Sequence, residues 1–345
     1  MYPNASSPSF GVFVANFAES FKDGDNRITQ TSLIKGRQTG ILKILAYLRF
    51  FADVFWKSNF GHYDLIYVHY IQHSVLPLNF WWNRSNRKLV LNAHGTDIVD
   101  QGRTARFFRR VNKKLIVNAD LIVVPSAFFV SKIEKMGVER SNIFVSPSGG
   151  IDPSKFFPPA HKELSLKIGY LGRLDPGKGL EILLESFTAL AQQLDLRLEI
   201  VGSGSLLSRL QHKVADYSLD DSVSFFGVLK QDEVGRKLRE WDVLIFPSEL
   251  EESLGLVGLE AMACGTPVIG SNQGGILTYL ENGKNGFTFE SGNFDELTRV
   301  IVAFYNLDTA SRTEMSERAL ATASEYLKTK VFTRLNNQLN NLFNA

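Results

Sequence analysis

The sequence predicts an α/β protein made of two doubly wound parallel-sheet domains, and three observations carry that prediction. Short apolar runs rich in β-branched residues alternate with helical patterns along the whole chain. The alternation breaks once, at the glycine and proline cluster "GGIDPSKFFPPAHKEL". The length of 345 residues exceeds one ordinary core and suits two domains of about 150 to 180 residues each. Two cores imply a cleft between them.

In the first half, strands are expected at 64–70 ("DLIYVHY"), 88–95, 120–126 and 143–147, with helices around 41–57, 104–118 and 127–136. Strands that are apolar on both faces and separated by helices pair in parallel. After the break, strands are expected at 166–172, 196–202, 223–227, 242–248, 267–271 and 286–289, most of them followed by a helix. The second half thus repeats the first in architecture. Helices near 310–327 and 329–343 close the chain. The expected domains are 1–155 and 156–328, with 329–345 a closing helix that packs back on the N-terminal domain. A doubly wound domain usually opens on a buried strand, yet "YPNASSPSFGVF" is rich in turn residues and runs into a helix near 11–21. The expectation is that the first strand lies upstream of Met1.

Composition narrows the setting. Apolar residues make up 44% and charged residues 21%, which suits a folded globular protein and leaves no case for extended disorder. A lone cysteine, Cys264, forms no internal disulfide, and no Cys/His cluster has zinc-site spacing, so a reducing cytoplasm is expected. No stretch reaches the roughly 18 apolar residues of a membrane span, and the N-terminus lacks a basic, apolar leader pattern. The net charge of +2 hides an asymmetry: residues 1–150 hold 19 Lys and Arg against 10 Asp and Glu, whereas residues 151–345 hold 19 against 26. In the basic half, cations are interleaved with large apolar residues in "ILKILAYLRFFADVFWKS", "PLNFWWNRSNRK" and "GRTARFFRRVNKKL". Two readings stand: surface helices that meet anionic lipid, or ordinary amphipathic helices with one solvated charged face.

Ligands of such sheets bind beyond the carboxyl ends of the strands, and the polar motifs fall there. "GYLGRLDPGKGLEIL" resembles a P-loop from Gly172 to Lys178, but Gly179 stands where the magnesium-binding Ser or Thr belongs, and no strand ends in the acidic residue that would complete the metal site. What remains is two cations, Arg173 at the strand end and Lys178 at the helix start, placed where backbone N–H groups already favour an anion. In "LEIVGSGSLLSRL", Gly202 and Gly204 make a tight strand-to-helix turn, but Leu207 replaces the third glycine of a dinucleotide fingerprint. That turn either admits a nucleotide close to the backbone or is structural only. "NAHGTDI" puts His94 and Asp97 after an apolar strand, next to Gly95, which permits close approach of a ligand. "DGDN" at 23–26 has the composition of an ordinary turn and is rejected as a metal site.

The most specific pattern is "ESLGLVGLEAMACGTPVIG", where Glu252 precedes a helix beginning near Gly255 and Glu260 lies in its second turn. A glutamate at a helix start stabilises the dipole by about 0.3 to 1 kcal/mol, which accounts for Glu252 but not for Glu260. On a small, apolar and buried face, an unpaired carboxylate costs several kcal/mol. Glu260 therefore needs a hydrogen-bonding partner, and ligand hydroxyls suit it because a carboxylate accepts two in a fork. Gly255, Leu256 and Val257 leave helix N-terminal N–H groups unpaired.

Together these stretches resemble family 4 of the retaining glycosyltransferases, which have the GT-B architecture of two Rossmann-like domains facing across a cleft. The resemblance runs through "YPNASSPSFGVF", "NAHGTDI", "GGIDPSKF", "GYLGRLDPGKGLEILLESF", "VGSGSLL", "PSELEESLGLVGLEAMACGTPVIGSNQGGI" and "NGKNGFTF". It implies that Arg173 and Lys178 bind a donor diphosphate, Glu252 meets the donor sugar's hydroxyls and Glu260 holds the ribose. It further implies that Gly255, Leu256 and Val257 offer backbone N–H groups to sugar and phosphate, that Gly11 in the first loop approaches the phosphates, and that His94 reaches the donor sugar from the acceptor side, with Asp97 beside it. Ser253 and Leu254 stand where the family often has Gly-Phe, and a single glycine replaces the usual pair in the first loop.

The implied activity is that of a metal-independent, retaining hexosyltransferase with a nucleoside-diphosphate sugar as donor and no cofactor. Its acceptor is a saccharide or a lipid-diphosphate-linked saccharide of bacterial envelope polysaccharide synthesis, and its place is the cytoplasm or the inner face of the membrane. A nucleotide-sugar sensor of the same fold is the alternative. An oxidoreductase is disfavoured by the incomplete dinucleotide fingerprint, and nucleic-acid binding by the small net charge and the lack of a recognition motif.

Overall fold

The structure is a computed structural model that describes residues 2–4, 11–21, 26–36, 38–81, 87–99, 102–147, 149–162, 165, 167–191 and 194–344. Residues 23–25 of "DGDN", much of "YPNASSPSFGVF" and part of "PLNFWWNRSNRK" lie outside the described residues. The chain divides into two compact units, Met1–Gly149 with Val331–Ala345, and Gly150–Lys330.

The first unit holds β1 (Leu65–His69), β2 (Lys88–Asn92), β3 (Leu121–Val124) and β4 (Ile143–Val145), paired in that order and all parallel. Its helices are α1 (Val12–Ser20), α2 (Gly40–Phe60), α3 (Leu76–Trp81), α4 (Thr96–Val99), α5 (Arg103–Val117) and α6 (Val130–Glu134). Each central strand is apolar on both faces because each face is covered. Leu89, Leu91, Ile122 and Val124 pack into one cluster, whereas Val90, Leu121 and Val123 pack into another.

The second unit holds β5 (Lys167–Leu171), β6 (Arg197–Val201), β7 (Val223–Phe225), β8 (Val243–Phe246), β9 (Val268–Ser271) and β10 (Gly286–Phe289). They form one parallel sheet in the order β10-β9-β8-β5-β6-β7. On one face lie α7 (Leu180–Ala191), α8 (Leu207–Asp216) and α11 (Phe294–Tyr305), and on the other α9 (Gln231–Glu240), α10 (Leu256–Ala263) and α12 (Thr309–Ser324). Gly169, in central β5, has a side-chain reason: a Cβ there would fall 1.9 Å from the ring of Trp241, which is fully buried.

The boundary lies at Gly149–Gly150, a few residues before the proline cluster. Ile151 and Phe156 bury their side chains in the second unit's core, and Ile151 exchanges backbone hydrogen bonds with Tyr326 and Lys328 at 2.8 and 2.9 Å. The last helix, α13 (Lys328–Asn341), passes back into the first unit. Leu335 and Leu339 there cover Val90, Leu121 and Val123. Leu335→Ala is expected to destabilise the first unit by about 2 to 4 kcal/mol through lost burial and the cavity left behind. A lowered urea midpoint at unchanged slope would report this, and an unshifted midpoint would mean that the helix contributes no packing.

Candidate active site

In the second unit, strand order decides where the polar loops meet. The chain runs from β5 through β6 to β7 at one edge, then resumes at β8 on the other side of β5 and continues outward to β10. The loops after β5 and β8 therefore part at a topological switch point, where open parallel sheets leave a crevice beyond the carboxyl ends of their strands.

Those two loops are joined backbone to backbone. Glu249 N donates to Gly177 O at 2.8 Å. Gly179, at a φ of +67°, comes so near that a Cβ would stand 1.8 Å from the Pro247 carbonyl oxygen. Across this join Lys178 Nζ lies 2.5 Å from Glu252 Oε1, and the two side chains are only 16% and 22% exposed. Ser248 Oγ donates to the same carboxylate oxygen at 2.8 Å. Ser271 Oγ and Gln273 Nε2 donate to the Ser248 carbonyl at 2.6 and 2.9 Å, which fixes the loop that carries Glu252.

Arg173 does not join this pair. Its guanidinium is 72% exposed and bonds Asp175 at 2.8 Å. Asp175 also accepts from the backbone N–H and the hydroxyl of Ser205, at 3.0 and 3.1 Å, and these bonds, helped by Arg173, hold its carboxyl below its ordinary range. The loop after β5 is thereby tied to the loop after β6. Gly204 lies in that second loop, where a Cβ would fall 2.3 Å from the Leu174 carbonyl oxygen.

Helix α10 starts from Gly255, which caps it in a left-handed conformation with φ 76°. The backbone N–H groups of Leu256 and Val257 have no acceptor among the described residues, as expected for the first turn of a helix. Tyr279, buried, donates its hydroxyl to the Gly255 carbonyl at 2.6 Å. Gly258 leaves the room that this hydroxyl occupies, because a Cβ there would lie 2.3 Å from it. Gly275 N donates to Glu252 O at 2.8 Å, and a Cβ on Gly275 would meet Ser253 O at 2.2 Å. Glu260, in the second turn of α10, has no side-chain hydrogen bond or ion pair among the described residues, and burial raises its carboxyl to about 7.

In the first unit the loops after β1 and β2 form a second polar cluster. Asp97 is buried, and its two carboxylate oxygens accept from Ile71 N at 2.9 Å and His94 N at 2.8 Å. Both oxygens are thus engaged in clasping the two loops together, with Asp97 beside His94. Burial raises this carboxyl to about 6 despite those N–H bonds. His94 Nε2 meets His69 Nδ1 at 3.0 Å, and Tyr70 stacks on the His94 ring at 4.3 Å. Tyr70 adopts φ 65°, a left-handed conformation unusual for an aromatic residue. Burial lowers His94 to about 4 and His69 well below its usual value, so both rings are neutral near pH 7. His69 Nε2 is buried without a hydrogen-bond partner among the described residues. The favoured tautomer has His69 Nδ1–H donating to His94, since a bare lone pair at Nε2 costs less than an unsatisfied N–H. Gly11, the remaining predicted residue, caps α1 at φ 74°.

Sequence reasoning missed Ser248, Asp175, Tyr279, His69 and Tyr70. The available signals were Ser248 four residues before Glu252, and His69 closing an apolar strand as His94 follows the next.

Two parallel-sheet units of this topology, with a switch-point site in the second, constitute a GT-B fold. Anabaena HepE in complex with UDP matches it at a TM-score of 0.78 and 20% identity, over 99% of this chain and 98% of that one. Sucrose-phosphate synthase from Thermosynechococcus elongatus matches at 0.73 and 22% identity, over 92% of this chain and 82% of that one. At such identities these matches show the fold alone. Residues 152–322 match the family of glycosyl transferases group 1, and residues 19–149 match the glycosyl transferase 4-like domain. The chain belongs to the group 1 glycosyltransferase family. It is 30% identical over 283 residues to D-inositol 3-phosphate glycosyltransferase of Pseudarthrobacter chlorophenolicus, covering 75% of this chain and 66% of that protein. It is 29% identical to the putative colanic acid biosynthesis glycosyltransferase WcaL of Escherichia coli, covering 67% of this chain and 59% of that protein. The matched segment thus spans less than two thirds of the length of each of these two relatives.

Tyr279→Phe removes the hydroxyl that holds the Gly255 carbonyl. It is expected to cost about 1 to 2 kcal/mol of stability, read by thermal unfolding, whereas an unchanged midpoint would show that the bond does not hold the cap.

Proposed function

We propose that the chain is a retaining, metal-independent glycosyltransferase that moves a sugar from a nucleoside-diphosphate donor to a saccharide or lipid-linked saccharide acceptor in envelope polysaccharide synthesis. The observation that carries the reading is the juxtaposition of Lys178 and Glu252 beside the free N–H groups of α10. Sugar transfer breaks a glycosidic C–O bond through an oxocarbenium-like state while negative charge grows on the departing diphosphate. Lys178, Arg173 and the N–H groups of Leu256 and Val257 supply positive potential for that charge. Arg173 would exchange its exposed contact with Asp175 for a phosphate.

Glu252, anchored through one carboxylate oxygen, keeps the other for a donor-sugar hydroxyl. Glu260, lacking a partner among the described residues, suits the two ribose hydroxyls. His94, neutral and oriented by His69, Tyr70 and its own backbone bond to Asp97, serves the acceptor side. In retention the acceptor hydroxyl attacks from the face that the diphosphate leaves, and the leaving phosphate takes the proton, so no side-chain nucleophile is needed. Uridine is the base we favour, because HepE was crystallised with UDP and with UDP and glucose. Relatives named for colanic acid and amylovoran biosynthesis support a polysaccharide product.

Lys178→Ala and Arg173→Ala are each expected to lower transfer at least about 100-fold, the scale on which losing a preorganised charge partner acts. Near-normal turnover by both purified variants would overturn their roles. Glu260 supplies a separate test. Its carboxyl, raised to about 7 by burial, must be ionised to accept ribose hydroxyls, so nucleotide binding takes up carboxylate and releases a proton. Affinity should therefore rise with pH from 6 toward 8 and level off above, by at most about tenfold per pH unit. Calorimetry of UDP binding should show this rise in the parent protein relative to Glu260→Gln; identical pH profiles for the two would refute the ribose assignment.

A further inference from the structure

Helix α2 is apolar on two sides. Its inner side buries Phe50 and packs Val54 against the core cluster of the sheet. Its outer side leaves Ile41, Ile44, Leu45, Leu48, Trp56 and Phe60 exposed, between 55% and 73% each. Ile41, Ile44, Leu45 and Leu48 recur at three- and four-residue intervals, and exposed Ala52 continues the four-residue step to Trp56 and Phe60, so they lie in one row along a helix about 30 Å long. Scattered exposed apolar residues need no explanation, whereas a row of this length marks a surface that meets something. Among the described residues no helix is long and apolar enough to cross a membrane.

What it meets is indicated by charge. Arg49 is exposed on α2. The neighbouring α5 contains no acidic residue and exposes Arg103, Arg106, Arg110 and Lys113. The two helices are joined through His73, whose ring lies 6.1 Å from Tyr47 of α2 and 4.4 Å from Phe108 of α5, and Phe107 next to it is exposed. A second copy of this chain placed two-fold on the same surface would set this cationic rim against itself or beside itself. An anionic bilayer would complement it, taking the apolar row at the acyl boundary and the guanidinium groups at the headgroups.

We infer that α2 lies in the plane of an anionic membrane surface, with its outer row inserted and the cations of α5 on lipid phosphates. The same segment links this surface to the acceptor-side cluster: Tyr70 stacks on His94, and His73, three residues on, sits between α2 and α5. A lipid-linked acceptor held in the bilayer would thus emerge next to His94. That last consequence rests on the transferase reading; the docking itself does not.

The test is flotation of the purified full chain with vesicles of phosphatidylcholine alone or with phosphatidylglycerol added, alongside calorimetric binding of UDP in the absence of vesicles. The chain should float at least tenfold more readily with anionic vesicles, and less so as salt is raised. Leu45→Ser/Leu48→Ser/Trp56→Ser should abolish flotation, and Arg106→Glu/Arg110→Glu should remove the preference for anionic lipid, with UDP binding unchanged in both as the sign that they are folded. Absence of flotation by the parent chain, flotation by the triple-serine variant at the parent level, or a dimer in sedimentation equilibrium that this variant dissolves would each overturn the inference. Flotation without UDP binding would sink the transferase reading alone, and UDP binding without flotation would sink the docking alone.

Discussion

The ion pair between Lys178 and Glu252 is the constraint on which the site in the second unit depends. Both groups are largely withdrawn from water, so neither tolerates the loss of the other without leaving a partly desolvated charge. To bring them together, the loops after β5 and β8 must touch, and they touch through glycines. Gly179 rests against the Pro247 carbonyl, and the Gly177 carbonyl accepts from Glu249 N, whereas Gly275, after β9, braces Ser253 from the other side. The aliphatic residues that fill the strands serve the same end, since they set the sheet order that places β8 beside β5.

The two glutamates of this region live under opposite conditions. Glu252 has a cation and a hydroxyl within bonding distance, whereas Glu260 has burial and no partner among the described residues. A carboxylate in the first condition is held in place before any ligand arrives; one in the second gains from a ligand that brings hydroxyl donors. The buried hydroxyl of Tyr279 fixes the Gly255 carbonyl on the turn between them, so the helix start is held before a ligand arrives. In the first unit the same economy appears with different groups: Asp97 ties two loops together, and His69 and Tyr70 orient the ring of His94.

Much of this architecture was legible in the amino-acid sequence. Each of the ten described strands falls within one or two residues of a run rich in apolar and β-branched residues, apart from the polar tails at 93–95, 125–126 and similar ends, because a doubly covered strand admits little else. Helices α2, α5, α12 and α13 follow their periodicity, and Glu260 sits in the second turn of α10. Asp97 was legible as a residue near a ligand-binding strand end but not as a clasp, since its partners are backbone N–H groups of two separate loops.

Local pattern, then, determined the elements, their parallel pairing, the glycine-marked strand ends and the acidic residues of α10, because each depends on neighbours within a few positions. Only the tertiary structure decided which of those residues meet. Lys178 found Glu252 across 74 positions of sequence, Arg173 turned instead to Asp175, and α13 returned to cover β2 and β3 of the first unit. Such partnerships follow from the order in which strands lie side by side, and that order is a property of the assembled sheet that no window of sequence contains.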